Sequence, residues 1–242
     1  RCTLNWIGGM GILVLAVAIL PMLGAGGSQI FRAETPGPMK DEKLTPRITG
    51  TAKGLYAIYM LLSLACVLAY RAAGLNWYEA YCHMASTVAL GGFSTRDAGF
   101  AAFSSPAVEL VAVVFMVVAG ISFTLHFQAF RRRSLEPYAR STEAKAYLAV
   151  LAISVALITA LLLVRGTYDS FWTALRYALF NTVSVATTTG FVSTDYSVWP
   201  IFAPVWMLVL SCFVTCAGST GGGIKMIRVV ILVKQARREF IH

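Results

Sequence analysis

The sequence predicts an all-α membrane protein built from repeated units of span, half-helix, loop and span, and three observations carry that prediction. Hydrophobic residues make up 57% of the 242 and charged ones only 13%, a balance from which a water-facing surface of this size is hard to build. The charges fall in short clusters and leave apolar runs near the roughly 20 residues that cross a bilayer as a helix. One series of parts, with its glycines, also recurs at a nearly fixed offset along the chain. A soluble domain is excluded.

Taken in order, 6–23 is the first apolar stretch and 54–70 the second. Residues 77–90 are amphipathic, follow closely on a full span, and are too short to cross before another crossing, so they read as a re-entrant half-helix. A third span is expected over 106–130 and a fourth over 144–164, and a second half-helix over 171–186. The last stretch, 201–233, has about 33 residues where roughly 20 suffice. Its middle reads Thr215-Cys-Ala-Gly-Ser-Thr-Gly-Gly-Gly-Ile-Lys225. Three consecutive glycines cost about 1 kcal/mol each in a helix relative to alanine, so this helix is expected to break there. Residues 218–225 superficially resemble a phosphate-binding loop but lack the Ser or Thr after the lysine and the preceding strand.

Charge placement sets the expected orientation. Segments 25–53, 131–145 and 225–242 hold five Lys/Arg each, fifteen of the chain's twenty. By the positive-inside bias these lie in the cytoplasm, with the C-terminus, while the N-terminus and both half-helix loops lie outside. The same bias accounts for the net charge of +9 without invoking nucleic acid. The chain begins at Arg1 with no signal-peptide pattern, and its odd number of spans reads as if a preceding half were missing. Cys2, Cys66, Cys82, Cys212 and Cys216 form no CxxC pair and suggest neither a disulfide framework nor a zinc site. His83, His126 and His242 are too scattered for a metal site, and no Ser-His-Asp constellation or paired carboxylate points to an enzyme.

The repeat is visible residue by residue. At an offset of 98, Gly92 meets Gly190, Phe93 meets Phe191, Asp97 meets Asp195 and Pro106 meets Pro204; at 94, Trp77-Tyr-Glu-Ala80 meets Phe171-Trp-Thr-Ala174. Parallel units of about 95 residues read as wedges around an axis along the membrane normal, their loops meeting at a central ion pathway. Irregular backbone at membrane depth is tolerated only where protein buries it or a water-filled cavity receives it. Buried structural turns are the plainer alternative; cation coordination is the reading that explains two matching copies. Carbonyl oxygens replace the water shell of a monovalent cation, and Gly91, Gly92 and Gly190 are expected to supply the unusual backbone angles that turn successive carbonyls one way.

At these residues a family resemblance becomes specific. Ser86-Thr-Val-Ala-Leu-Gly-Gly-Phe-Ser-Thr95 and Ser184-Val-Ala-Thr-Thr-Thr-Gly-Phe191 resemble the second and third pore loops of the TrkH family of potassium transporters. Trp6-Ile-Gly-Gly-Met-Gly-Ile-Leu-Val-Leu-Ala-Val-Ala-Ile-Leu-Pro21, Phe31-Arg-Ala-Glu-Thr-Pro-Gly-Pro38 and Lys43-Leu-Thr-Pro-Arg47 are similar to the stretch after its first pore loop. The resemblance implies four repeats per protomer. Residues 1–52 then hold the last span of an incomplete first repeat and a cytoplasmic loop, 53–140 the second repeat, and 141–242 the third with a broken last span. The first pore loop and the fourth repeat, with an arginine the family carries near its gate, are missing.

The resemblance further implies a potassium filter of backbone carbonyls from Ala89, Leu90, Gly91 and Gly92 and from Thr187, Thr188, Thr189 and Gly190, with Leu90, Gly91, Thr188 and Thr189 innermost. It implies a gate formed by the glycine-rich loop, with Gly218, Thr220, Gly221, Gly222, Gly223, Lys225 and Arg228. Lys225 and Arg228 read either as an electrostatic barrier or as ordinary cytoplasmic anchors. Asp97 and Asp195 either concentrate cations or cap nearby amides. The triple arginine 131–133 could attract anionic lipid headgroups or a cytosolic partner. The family also implies potassium as the transported ion, the bacterial inner membrane, a homodimer, and a cytosolic nucleotide-binding regulatory subunit docked on 131–145 and the C-terminal segment. The expected function is potassium uptake; a nonconducting membrane fragment or assembly scaffold is the alternative. A transporter of small solutes would call for charged residues deep in the spans, and the sequence offers few.

Overall fold

Helices form where the apolar pattern runs uninterrupted, and most of their ends coincide with capping or breaking residues. The computed structural model describes residues 1–14 and 48–240. The first helix, α1 (Cys2–Val14), starts upstream of the expected apolar stretch. The remainder of that stretch, the segments at 31–38 and 43–47, and His242 lie outside the described residues.

The long helix α2 (Ile48–Ala72) closes on Gly74, whose φ of 105° turns the chain so that the Leu75 N–H reaches the Tyr70 carbonyl at 3.2 Å. Asn76 then caps the first half-helix, α3 (Trp77–Val88), its side chain accepting the Glu79 N–H at 2.8 Å. This half-helix stops two residues short of the expected Leu90, because Leu90 itself is left-handed at φ 53°.

The stretch 106–130, expected as one span, is two helices. α4 (Pro106–Ala119) and α5 (Phe123–Arg132) are bent by 91° across residues 120–122. The backbone there pairs with another segment instead of continuing the helix: the Gly120 carbonyl accepts the Cys216 N–H at 3.0 Å, and the Phe123 N–H donates to the Gly218 carbonyl at 2.9 Å. Glycine followed two residues later by a cap-type serine was the local signal for this break.

A short α6 (Glu136–Arg140) leads into α7 (Thr142–Val164), which Ser141 caps through the Ala144 N–H at 3.2 Å. The second half-helix, α8 (Phe171–Ala186), has the limits expected from sequence. The long final stretch is divided between α9 (Phe202–Ser211) and α10 (Met226–Glu239) by irregular backbone. Among the described residues, Lys53–Ala72 of α2 and Thr142–Val164 of α7 are long and apolar enough to cross a membrane.

Packing ties the repeats together. Helix α3 lies against α1 and α2, and α8 against α7, α4 and α9. Phe100, from the segment after the first half-helix loop, packs its ring at a tilt against Phe191 and Phe180 of the other repeat, with ring centres 4.5 and 5.1 Å apart. Arg176 of α8 forms a two-pronged ion pair with the buried Glu109 of α4, at 2.7 and 2.8 Å. On the other flank the Tyr59 hydroxyl donates to the Trp6 carbonyl and the Trp6 indole N–H to Ser63 Oγ, both at 2.9 Å, fastening α1 to α2 by the interhelical hydrogen bonds suited to a lipid setting.

Candidate functional site

Each half-helix runs out into a loop, and the two loops have the same backbone design. Leu90 and Thr188, equivalent at offset 98, are both left-handed at φ 53° and 61°; Gly92 and Gly190 are left-handed at 68° and 87°. A left-handed β-branched residue such as Thr188 is strained, and local hydrogen bonds hold it. The N–H groups of Leu90 and Thr188 donate to the carbonyls of Thr87 and Val185 at 3.2 and 3.0 Å. Those of Gly91 and Thr189 donate to Ser86 and Ser184 at 2.8 and 2.9 Å. The same serines bridge forward: Ser86 Oγ accepts the Phe93 N–H at 2.5 Å and Ser184 Oγ donates to the Phe191 carbonyl at 2.7 Å.

These bonds consume loop N–H groups and leave the carbonyls. Among the described residues, no hydrogen bond is accepted by a carbonyl oxygen at 89–92 or 187–190. Ala89, Leu90, Thr187 and Thr189 are nonetheless buried. Gly91, Gly92 and Thr188 are half-buried and Gly190 is exposed, so the eight carbonyls sit on two equivalent loops with no hydrogen-bond donor among the described residues.

The loops touch. A Cβ on Gly92 would overlap the Thr189 carbonyl, and the Phe100 N–H donates to the Val192 carbonyl at 2.9 Å. Gly91 differs from expectation: its φ is not left-handed, and the Asn5 side chain of α1 packs in the space a Cβ would take. A cavity of about 580 Å³ opens here, lined by Asn5, Gly9, Ala89, Leu90, Thr188, Thr220 and Gly222 among others.

The glycine-rich segment reaches both loops. Thr220 Oγ1 donates to the Val88 carbonyl at the end of α3 at 2.9 Å, and the Gly222 N–H donates to Thr188 Oγ1 at 2.8 Å. Gly221 lies so close to Thr215 and the Thr187 carbonyl that a side chain would not fit. Thr215 Oγ1 donates to the Gly222 carbonyl at 2.6 Å, and the Lys225 ammonium donates to the Gly221 carbonyl. Gly218 sits at the bend between α4 and α5, and a Cβ on Gly223 would overlap the Cys212 carbonyl. Arg228 lies in the first turn of α10, exposed, and its N–H donates to the Lys225 carbonyl at 3.2 Å. Thr220, Gly221 and Gly222 thus lie against the two loops, while Gly218 meets the bend at 120–122, Gly223 meets Cys212, Lys225 bonds back to Gly221 and Arg228 lies on the helix that follows.

Sequence reading missed the groups that hold this arrangement. Glu143, at the start of α7, accepts backbone N–H groups from both flanks of the glycine-rich segment; Asn5 packs on Gly91; Arg176 and Glu109 join the repeats. No local pattern marks such long-range partners, although a glutamate opening an apolar run was a hint. Asp195 caps the short turn 196–198, accepting the Ser197 N–H at 2.9 Å, and hydrogen bonds from Ser197 hold its carboxyl below the ordinary aspartate value. Asp97 is exposed.

Long apolar helices, half-helices ending in matched loops, and an irregular segment packed against both loops define a multi-pass α-helical membrane protein. More specifically, the chain belongs to the TrkH family, whose profile, described as a cation transport protein, matches residues 1–242. It is 48% identical over 242 residues to the Trk system potassium uptake protein TrkH of Halomonas elongata, covering 100% of this chain and 50% of that one. The corresponding protein of Escherichia coli K12 is 46% identical over 239 residues, covering 99% and 50%. The crystal structure of the potassium transporter TrkH from Vibrio parahaemolyticus superposes with a TM-score of 0.86 at 43% identity, covering 99% of this chain and 48% of that one. The chain spans about half the length of the curated relatives it matches.

Proposed function

We propose that this chain forms part of a potassium uptake pathway across the bacterial inner membrane, with the backbone carbonyls of Ala89, Leu90, Gly91 and Gly92 and of Thr187, Thr188, Thr189 and Gly190 contributing two walls of a cation filter. The observation that carries the reading is the row of carbonyls without hydrogen-bond donors on two loops with the same backbone angles. Partial negative charge at the C-terminal ends of α3 and α8 favours a cation at the same place. In this reading 53–140 and 141–242 are the second and third repeats, 1–52 belongs to the first, and potassium is cargo, with no catalytic role for the chain. Segment 218–225 acts as a gate, because its tip lies against both loops and is joined to them by side-chain hydroxyls.

The basic segments 131–145 and 225–242 support a cytoplasmic C-terminus, where they suit docking of a nucleotide-binding regulatory subunit; assembly as a homodimer follows the family resemblance. Rubidium and sodium uptake into proteoliposomes containing a complete family transporter with this segment tests the filter. Gly190→Ser is expected to lower potassium preference, since φ 87° disfavours any side chain there even though the space beyond is open. Unchanged selectivity in a folded variant removes the filter assignment.

A further inference from the structure

Glu143 is a buried carboxylate, 5% exposed, in the first turn of α7. A single oxygen of it, Oε1, accepts the Ala217 N–H at 2.7 Å and the Ile227 N–H at 3.2 Å. Those two amides lie on opposite sides of the glycine-rich segment 218–225, so one atom closes a bridge across its neck. Two backbone bonds close the same neck, from Met226 N–H to the Thr215 carbonyl at 2.8 Å and from Ile224 N–H to the Cys212 carbonyl at 2.7 Å. The tip is held differently: its bonds to Val88, Thr188 and Thr215 all run through threonine hydroxyls.

We propose that Glu143 is a positioning residue for this loop: by bridging Ala217 and Ile227 it fixes both stems to α7 and so sets how far the tip reaches toward the two half-helix loops. The consequence for transport rests on the gating reading above. The neck is fastened by a carboxylate and two backbone bonds, and within the segment the Lys225 ammonium also holds the Gly221 carbonyl, whereas the tip meets the half-helix loops through single neutral hydroxyl bonds, so those loop contacts are the weaker ones and the neck sets the reach of the tip. The basic segment 131–145 runs into the first turn of α7 and includes Glu143, so a displacement there reaches the loop through this carboxylate together with the packing of Ala144 and Tyr147 on Cys216 and Met226.

The bridge depends on reach, which distinguishes it from a role in charge alone. Glu143→Gln keeps a carbonyl oxygen at the same distance from the backbone; Glu143→Asp keeps the charge but falls one methylene short. In a complete family transporter carrying this segment, hydrogen exchange of the amides around 217 and 227 and cation flux are measured together for these variants and for Glu143→Ala. The expected order is loss of amide protection by about tenfold or more in Ala and Asp, confined to 215–228, with protection largely retained in Gln. Flux rises in step with the loss. Retained protection in Asp with loss in Gln overturns the bridge in favour of a simple charge, and unchanged protection in both Asp and Ala overturns any positioning role. Local loss of protection with flat flux upholds the bridge and overturns the gating reading instead.

Discussion

If segment 218–225 gates as proposed, the hydroxyls of Thr220 and Thr215 give a quantitative handle on it. Thr220 Oγ1 donates to the Val88 carbonyl and the fully buried Thr215 Oγ1 to the Gly222 carbonyl. Replacing each by valine keeps the shape and removes one hydroxyl. A neutral hydrogen bond of this kind contributes about 1 kcal/mol net, so Thr220→Val shifts a closed-to-open equilibrium by about fivefold. The two hydroxyls share no acceptor, so the double variant Thr215→Val with Thr220→Val is expected near additivity, about 2 kcal/mol and about 30-fold. While the closed form predominates, cation flux rises by the same factors. The assay is rubidium uptake into proteoliposomes of a complete family transporter, with thermal melting in detergent as the check on folding. Flux at or below the parent's in a folded double variant refutes the reasoning, as does a double effect no larger than the single one.

Two further outcomes follow from the contacts between repeats. Arg176→Ala leaves Glu109, whose side chain is 5% exposed, without its guanidinium; a loss of about 3 kcal/mol in stability is expected, read as a lowered melting temperature, with Glu109→Met plus Arg176→Met recovering most of it. Gly92→Ala and Gly190→Ala both place a side chain at left-handed φ, but only the Cβ at 92 also meets the Thr189 carbonyl. Gly190→Ala is therefore expected to lower flux by about tenfold through backbone strain alone, and Gly92→Ala to abolish it; equal effects would show that the contact between loops is unimportant.

How much of this was legible depended on whether the signal was local. The half-helix 171–186 was readable because its apolar run is bounded by residues that cannot continue it, and the two loops were readable because the glycines at 92 and 190 recur at one offset. The left-handed angles at Leu90 and Thr188 were not, since neither residue type favours them; a shared pattern of hydrogen bonds back onto the half-helix imposes them. The bend at 120–122 had only the weak local signal of Gly120 and Ser122 beneath a hydropathy that remains high across it, and the bonds that fix it come from about a hundred residues away, in the backbone at 216–218. Gly91 was expected to supply an unusual backbone angle, but its φ is not left-handed and the Asn5 side chain packs against it. Partners such as Glu143 for Ala217 become visible only when helices far apart in sequence are brought together.

The 91° bend also bears on how the electric field of an energised membrane is distributed. Straight helix from α4 covers only about 21 Å for its 14 residues, and α9 about 15 Å for its 10, against a hydrocarbon layer of about 30 Å. Beyond those helix ends the chain continues as irregular backbone, at 120–122 and 212–225, whose polar groups need protein or water around them at membrane depth. Where water enters, the transmembrane voltage falls over less than the full bilayer, and each ångström of an ion's path there carries a larger share of the roughly 2.3 kcal/mol per unit charge per 100 mV.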